Sequence, residues 1–144
     1  MNTFFHWFGK VHAWAYRHNG RLGRRLAGVP CLVLRSTGRN SGARRESVLA
    51  YADDGDRRVV VASNGGSDRP PGWLFNVRAE PSVEVQVGDE TYAATARIVT
   101  VDDPDYARLW KLVNRMNRHR YDAYQGKTTR PIPLVAFERA ATGA

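Results

Sequence analysis

CLVLRSTGRNSGARRESVLAY, residues 31–51, decides the fold. It opens on an unbroken apolar run, CLVL, and closes on SVLAY. Between them lie two glycines, four arginines, four small polar side chains and one carboxylate. Apolar run, flexible polar turn, apolar run is the pattern of two strands joined by a short connection. Working outward, DDGD (53–56) turns the chain again and RRVVVAS (57–63), rich in β-branched residues, reads as a third strand. Connections this short cannot carry the crossover that parallel strands need, so the sheet is expected to be antiparallel.

Further along, NGGSDRPPG (64–72) pairs glycines and prolines and reads as a loop. WLFNVRA (73–79) reads as a short helix that Pro81 stops. SVEVQVG (82–88) alternates strictly, with Val83, Val85 and Val87 on one face, and Gly88-Asp89 turns it into TYAATARIV (91–99). The clearest helix follows: Asp102 or Asp103 is placed to cap it, Pro104 suits its first turn, and Tyr106, Leu109, Trp110 and Val113 form an apolar stripe. RYDAYQGKTTRP (120–131) is an ordered loop or one more helical turn, and IPLVAFE (132–138) is the last strand. About six strands in successive hairpins, with helices between and after them, give a mainly β fold with some α. The expected form is a small barrel, because closing a sheet removes the edges on which chains aggregate.

The chain of 144 residues has the length of one domain, with 42% apolar and 25% charged residues. Its single cysteine, Cys31, cannot form an internal bridge and reads as a small buried apolar residue of a reducing compartment. No apolar run approaches the roughly 18 residues of a membrane span, and no signal-peptide pattern is present. The expected location is therefore cytoplasmic, with contact at the inner face of the cell membrane left open. The net charge of +8 is uneven: residues 1–45 hold nine Lys/Arg and no acid, leaving thirteen against fourteen in the rest. The first third should attract an anion. Residues 1–28 stand apart from the domain expected over 29–144. Phe4, Trp7, Phe8, Val11 and Trp14 recur at helical spacing opposite Lys10, Arg17, Arg21, Arg24 and Arg25. Such a helix either lies on an anionic bilayer or packs its aromatic face over the barrel or its pocket.

Several chemistries are excluded. There is no CxxC, HExxH or GxSxG, and His6, His12 and His18, six apart, would spread over different faces of a helix. Metal and nucleophilic hydrolysis have no support. Nucleic acid is disfavoured despite a pI near 10.2, because the excess positive charge sits in one terminal segment and no nucleic-acid motif appears. Loops suited to a cofactor remain. Gly38 and Gly42 let backbone N–H groups approach an anion beside Arg39, Arg44 and Arg45. Ser63, Asn64, Gly65 and Gly66 form a second such turn directly after a strand. Trp73 and Asn76 follow at a helix start, whose N-terminus adds partial positive charge. Tyr121 and Tyr124, three apart, can project rings onto a flat ligand.

Taken in order, LVLRSTGRNSGARRE, DGDRRVVVASNGG, PPGWLFNVRAEPSVEVQVG and YDAYQGKTTRPIPLVAFE resemble the deazaflavin-dependent nitroreductase family of actinobacteria across residues 30–138. The resemblance implies a split β-barrel related to flavin-binding reductases, and a reductase that uses coenzyme F420 in its reduced form, F420H2, as hydride donor. It implies cofactor contacts at Arg39, Asn40 and Ser41, and along Arg45, Glu46, Ser47, Val48, Leu49 and Ala50. Val61, Ala62, Ser63 and Asn64 would border the phosphate and the ring. Gly72, Trp73, Leu74, Phe75 and Asn76 match a further cofactor segment, and Tyr121 and Tyr124 match tyrosines near the reactive ring face. Tyr121, Tyr124 and Ser63 would then be catalytic, acting on a flat electron-poor acceptor: a nitroaromatic, quinone or enone. The chain departs from the family at three places. Asn40 and Asn64 stand where lysine is frequent, with Arg44, Arg45 and Arg69 as nearby cations, and Arg118 stands where some relatives carry an aromatic. A barrel binding FMN, haem or a lipid without F420-dependent catalysis is the alternative, and either a monomer or a homodimer is compatible with the sequence.

Overall fold

The structure, a computed structural model, describes residues 25–26 and 28–141. The leader expected to be helical over residues 1–28 lies outside the described residues except at its end. There Arg25–Leu26 (β1) is a strand that pairs with Pro30 and Val29, not the end of a helix.

The quoted hairpin forms as its sequence dictates. Val29–Thr37 (β2) pairs antiparallel with Arg44–Ala50 (β3), Cys31 opposite Ala50 and Thr37 opposite Arg44. The loop closes through Gly38 N–H to Ala43 O at 2.7 Å and Gly42 N–H to Gly38 O at 2.8 Å. Gly42 has φ of 71°, a conformation that disfavours any side chain, so the turn needs glycine there. After one intervening residue, Tyr51, the chain re-enters a short strand, Ala52–Asp54 (β4), which the sequence reading did not separate from the turn. It pairs with Arg57–Val61 (β5).

Ser82–Val87 (β6) and Glu90–Val99 (β7) form the second hairpin, and Leu134–Arg139 (β8) lies between β7 and β5. The order is β1-β2-β6-β7-β8-β5-β4, with β3 on the other side of β2. The paired strands thus run from β3 through β2, β6, β7, β8 and β5 to β4, and the chain itself, through Tyr51, joins the two ends of that curled path. Among the described residues there are eight strands instead of about six; the surplus is the two-residue β1 and the three-residue β4.

Alternation is what fills this sheet. Val83, Val85 and Val87 from β6 and Tyr92, Ala94 and Ala96 from β7 face one core with Leu32, Leu34, Val60, Val135 and Phe137. Helix Gly72–Ala79 (α1) closes that core with Trp73, Leu74 and Val77, and ends two residues before Pro81. Helices Tyr106–Met116 (α2) and Arg120–Gln125 (α3) cover a second core, built from Val59, Val61, Val99, Leu134 and Ala136 with Leu109, Val113 and Tyr121. The expected stripe of α2 is thus core packing, but its cap is not as expected. Asp105 holds the N-cap position, whereas Asp103 accepts the Asp105 amide at 2.9 Å and pairs with Arg97 at 2.7 Å. Of the two aspartates that looked like caps, Asp103 is engaged by Arg97 of β7.

Candidate active site

Two loops and the start of α1 converge at one end of the barrel. Asn76 Oδ1 accepts the Arg39 amide at 3.1 Å, tying the β2–β3 loop to the helix. The Arg39 guanidinium lies 4.4 Å above the Phe75 ring, and Arg78 lies 5.7 Å from the same ring. Between loop and helix is a cleft of about 180 Å³ lined by Gly38, Arg39, Asn40, Ser41, Arg45, Gly72 and Asn76. Every lining residue is cationic, an amide, a hydroxyl or glycine, and none is acidic. The first turn of α1 has no acidic residue either, so the positive end of its dipole is not cancelled locally. A Cβ built on Gly72 meets nothing within 4 Å, which leaves room at the helix start. Cations, backbone and a helix N-terminus around open space are a donor set chemically suited to a phosphate or carboxylate.

The cations sort themselves by partner. Arg44 pairs with Glu84 across the sheet, and Arg35 pairs with Glu46 at 2.8 Å and with Glu84 at 3.1 Å. Arg44 is therefore held by the sheet and does not stand in for a lysine at Asn40, and Glu46 faces Arg35 instead of the cleft. Arg39 and Arg45 are the cations that line it. Ser47, Val48, Leu49 and Ala50 are half-buried along β3, Leu49 against the first core. Trp73 and Leu74 are buried in that core, as is Ala62, and Val61 is buried in the second; these four carry the site's frame.

The second group lies around Ser63. Asn64–Gly66 is a short 3-10 turn with Asn64, Gly65 and Gly66 all at positive φ (45°, 66° and 87°). Asn64 Nδ2 donates to Arg69 O at 3.0 Å, so this asparagine orders the loop that leads into α1. Gly66 sits against α3: a Cβ there would stand 2.7 Å from Tyr124 O. Tyr121 and Tyr124 meet edge to face, ring centres 6.2 Å apart. Their roles diverge by burial. Tyr121 is 5% exposed within the second core, and burial pushes its phenol up to about 12 against a counteracting hydrogen bond from Asn117. Tyr124 is half-buried, with the Lys127 ammonium 5.8 Å from its ring, and is the tyrosine open to a ligand. Sequence reasoning missed Arg130, which donates to the carbonyls of Ala62, Ser63 and Ser67. Its place in TTRPIP carries no motif that would single it out. It also missed that Phe75 serves as a platform for Arg39.

The geometry defines a β-barrel with an acid-free, cationic cleft between the β2–β3 loop and α1, and with a positive-φ turn packed against the helix that carries Tyr124. That class of fold is shared with the haem storage protein HutZ of Vibrio cholerae, at 14% identity and a TM-score of 0.58 over 85% of this chain and 87% of that one. The family model for F420H2-dependent quinone reductase matches residues 7–139, and the chain belongs to that family. It is 47% identical over 132 residues to the F420H2-dependent quinone reductase Rv1261c of Mycobacterium tuberculosis, covering 90% of this chain and 89% of that one. The solved F420-H2 dependent reductase FDR-A superposes with a TM-score of 0.68 at 35% identity, over 76% of this chain and 94% of that one. The protein is thus an F420-dependent oxidoreductase with the split-barrel fold that its sequence resembles.

Proposed function

We propose that the protein reduces a quinone at the expense of F420H2, with the phosphate and acidic tail of the cofactor in the Arg39–Arg45 cleft and the acceptor beside Tyr124. The observation that carries this reading is the cleft itself, acid-free and fastened to α1 by the Arg39–Asn76 bond, with Gly72 of the helix start in its lining. F420H2, when bound, supplies two electrons as a hydride. Arg39, Arg45, Ser41 and the start of α1 bind the anionic end. Asn40 and Asn76 add neutral hydrogen bonds, weaker than the charge-assisted contact a lysine would make. Ser63 and Tyr124 flank the ring end, where the Tyr124 hydroxyl can orient an acceptor oxygen and hand it a proton. Tyr121 packs behind Tyr124 and orients it. Alignment and exclusion of water are the tasks left to the protein.

A quinone is favoured over nitroaromatics and enones because the curated relatives are named as quinone reductases. Contact with a membrane surface through residues 1–28 remains part of the reading, supported by their aromatic and basic composition. A homodimer is supported by one structural relative described as a domain-swapped dimer, with a TM-score of 0.69 at 31% identity.

The test is a fluorescence titration with F420 and, separately, FMN, followed by turnover of a soluble quinone and a nitroaromatic. F420 should bind at micromolar concentration, with affinity that falls as salt rises because the contacts are ionic. Failure to bind F420, or tighter binding of FMN, would overturn the proposal.

A further inference from the structure

The strap between α3 and β8 holds the turn that carries Ser63. Arg130 Nη2 donates to Ser63 O at 2.8 Å and Ala62 O at 3.2 Å, and its Nε donates to Ser67 O at 2.8 Å. One guanidinium therefore grips both ends of the turn. Thr128 Oγ1 adds an outer tether, donating to Asp68 Oδ1 at 2.7 Å. The strap is itself fastened to the end of α3. Gln125 Nε2 donates to Arg130 O at 2.8 Å, and Gln125 Oε1 accepts from Ile132 N–H at 3.0 Å. Tyr124, its helix, the strap and the Ser63 turn form one hydrogen-bonded unit.

What is held is one of many conformations open to this stretch. Two of its three successive positive-φ residues are glycines, whose backbone is free to take other angles, so contacts from outside the turn must select this one. The Arg130 guanidinium makes no ion pair among the described residues and directs its donors to backbone carbonyls. Its planar fork suits that task, whereas an ammonium offers no such geometry.

We propose that Arg130 is a positioning residue for the reductase reaction, setting the Ser63–Gly66 turn against Tyr124 so that the ring end of the site is held in one arrangement. This rests on the reading of that turn as part of the F420 site. The variants are Arg130→Lys, which keeps the charge and loses the fork, and Thr128→Val, which removes the outer tether and the hydroxyl that accepts the Arg130 N–H at 3.2 Å but leaves the guanidinium in place. Amide hydrogen exchange is measured on the full chain, and kcat, quinone KM and the F420 Kd are measured beside it. In Arg130→Lys, amides of residues 64–68 should exchange about tenfold faster or more, with β8 unchanged. The kcat should fall roughly tenfold through misalignment, while the F420 Kd moves by less than about threefold, since the Arg39 cleft still holds the tail. Thr128→Val should shift both in the same direction by less. Unchanged exchange at 64–68, or equal loosening of β8, overturns the proposal, the latter by revealing a purely structural role. If the wild type fails to bind F420, the functional reading falls, and the exchange comparison still decides whether Arg130 holds the turn.

Discussion

Gly66 and the two tyrosines show how single side chains divide the labour at the site. Gly66 is at φ of 87° with α3 backbone directly over it, so both its conformation and its contact forbid a β-carbon. Gly66→Ala should cost about 1–3 kcal/mol from the conformation alone, read as a lower urea midpoint with an unchanged slope. Tyr121→Phe removes a buried hydroxyl and its Asn117 partner, with an expected loss of about 1 kcal/mol of stability. Tyr124→Phe should leave stability nearly intact and lower kcat at constant F420 affinity, read by steady-state kinetics beside denaturation. Because the folded Tyr121 phenol titrates above the unfolded one, its stabilising contribution is complete below pH 10. It is lost as pH rises from 10 toward 12, where the unfolded chain ionises first.

Helices α2 and α3 owe their relation to a few polar contacts that no periodicity reveals. The break between them falls at Arg118 and His119, both left-handed, with no glycine or proline to announce it. Asn114 secures the junction: it is 2% exposed, its side-chain oxygen accepts the Asp122 amide at 3.0 Å, and its Nδ2 donates to Trp110 O at 2.9 Å. Trp110 Nε1 in turn donates to the Asp122 carboxylate at 2.8 Å. Asn114→Ala removes the acceptor of the Asp122 amide in the first turn of α3 and should cost about 1 kcal/mol. It should also raise amide exchange in residues 120–125 more than in the barrel strands, measurable by mass spectrometry. The hydrophobic pattern of α2 was plain from its stripe, but a buried asparagine in that stripe reads as an exposed polar position until the second helix is in place.

The whole barrel is braced by an ionic cluster that joins β4, β5 and α2. Asp54 accepts from Arg57 at 2.6 Å and from Arg108 at 2.7 Å. These two guanidiniums, Arg108 foremost, hold its carboxyl down to about 2. A depressed carboxylate stabilises the fold above its unfolded pKa and loses that effect as pH falls through the folded value. The stability difference between wild type and Asp54→Asn should thus be full above pH 4 and disappear toward pH 2, measured by urea denaturation across that range. A difference independent of pH would mean the cluster contributes packing and not charge.

The sequence by itself determined the main hairpins, the antiparallel sheet and the first two helices, and left the third as a loop or one more helical turn. Each rests on local physics: β-branched alternation, turn glycines, and a proline that stops α1. It also marked the loops of the site, since glycine beside arginine is chemically expressive wherever it lies. Tertiary structure alone decided which of those residues act together. It turned Arg44 and Glu46 toward sheet partners, sank Trp73, Leu74 and Tyr121 into the cores, and brought Arg130 across to the Ser63 turn. The physical reason is that charge pairing and burial depend on neighbours 40 to 70 positions away, such as Arg44 with Glu84 and Arg130 with Ser63. A chain read in order carries its own periodicity but not its partners.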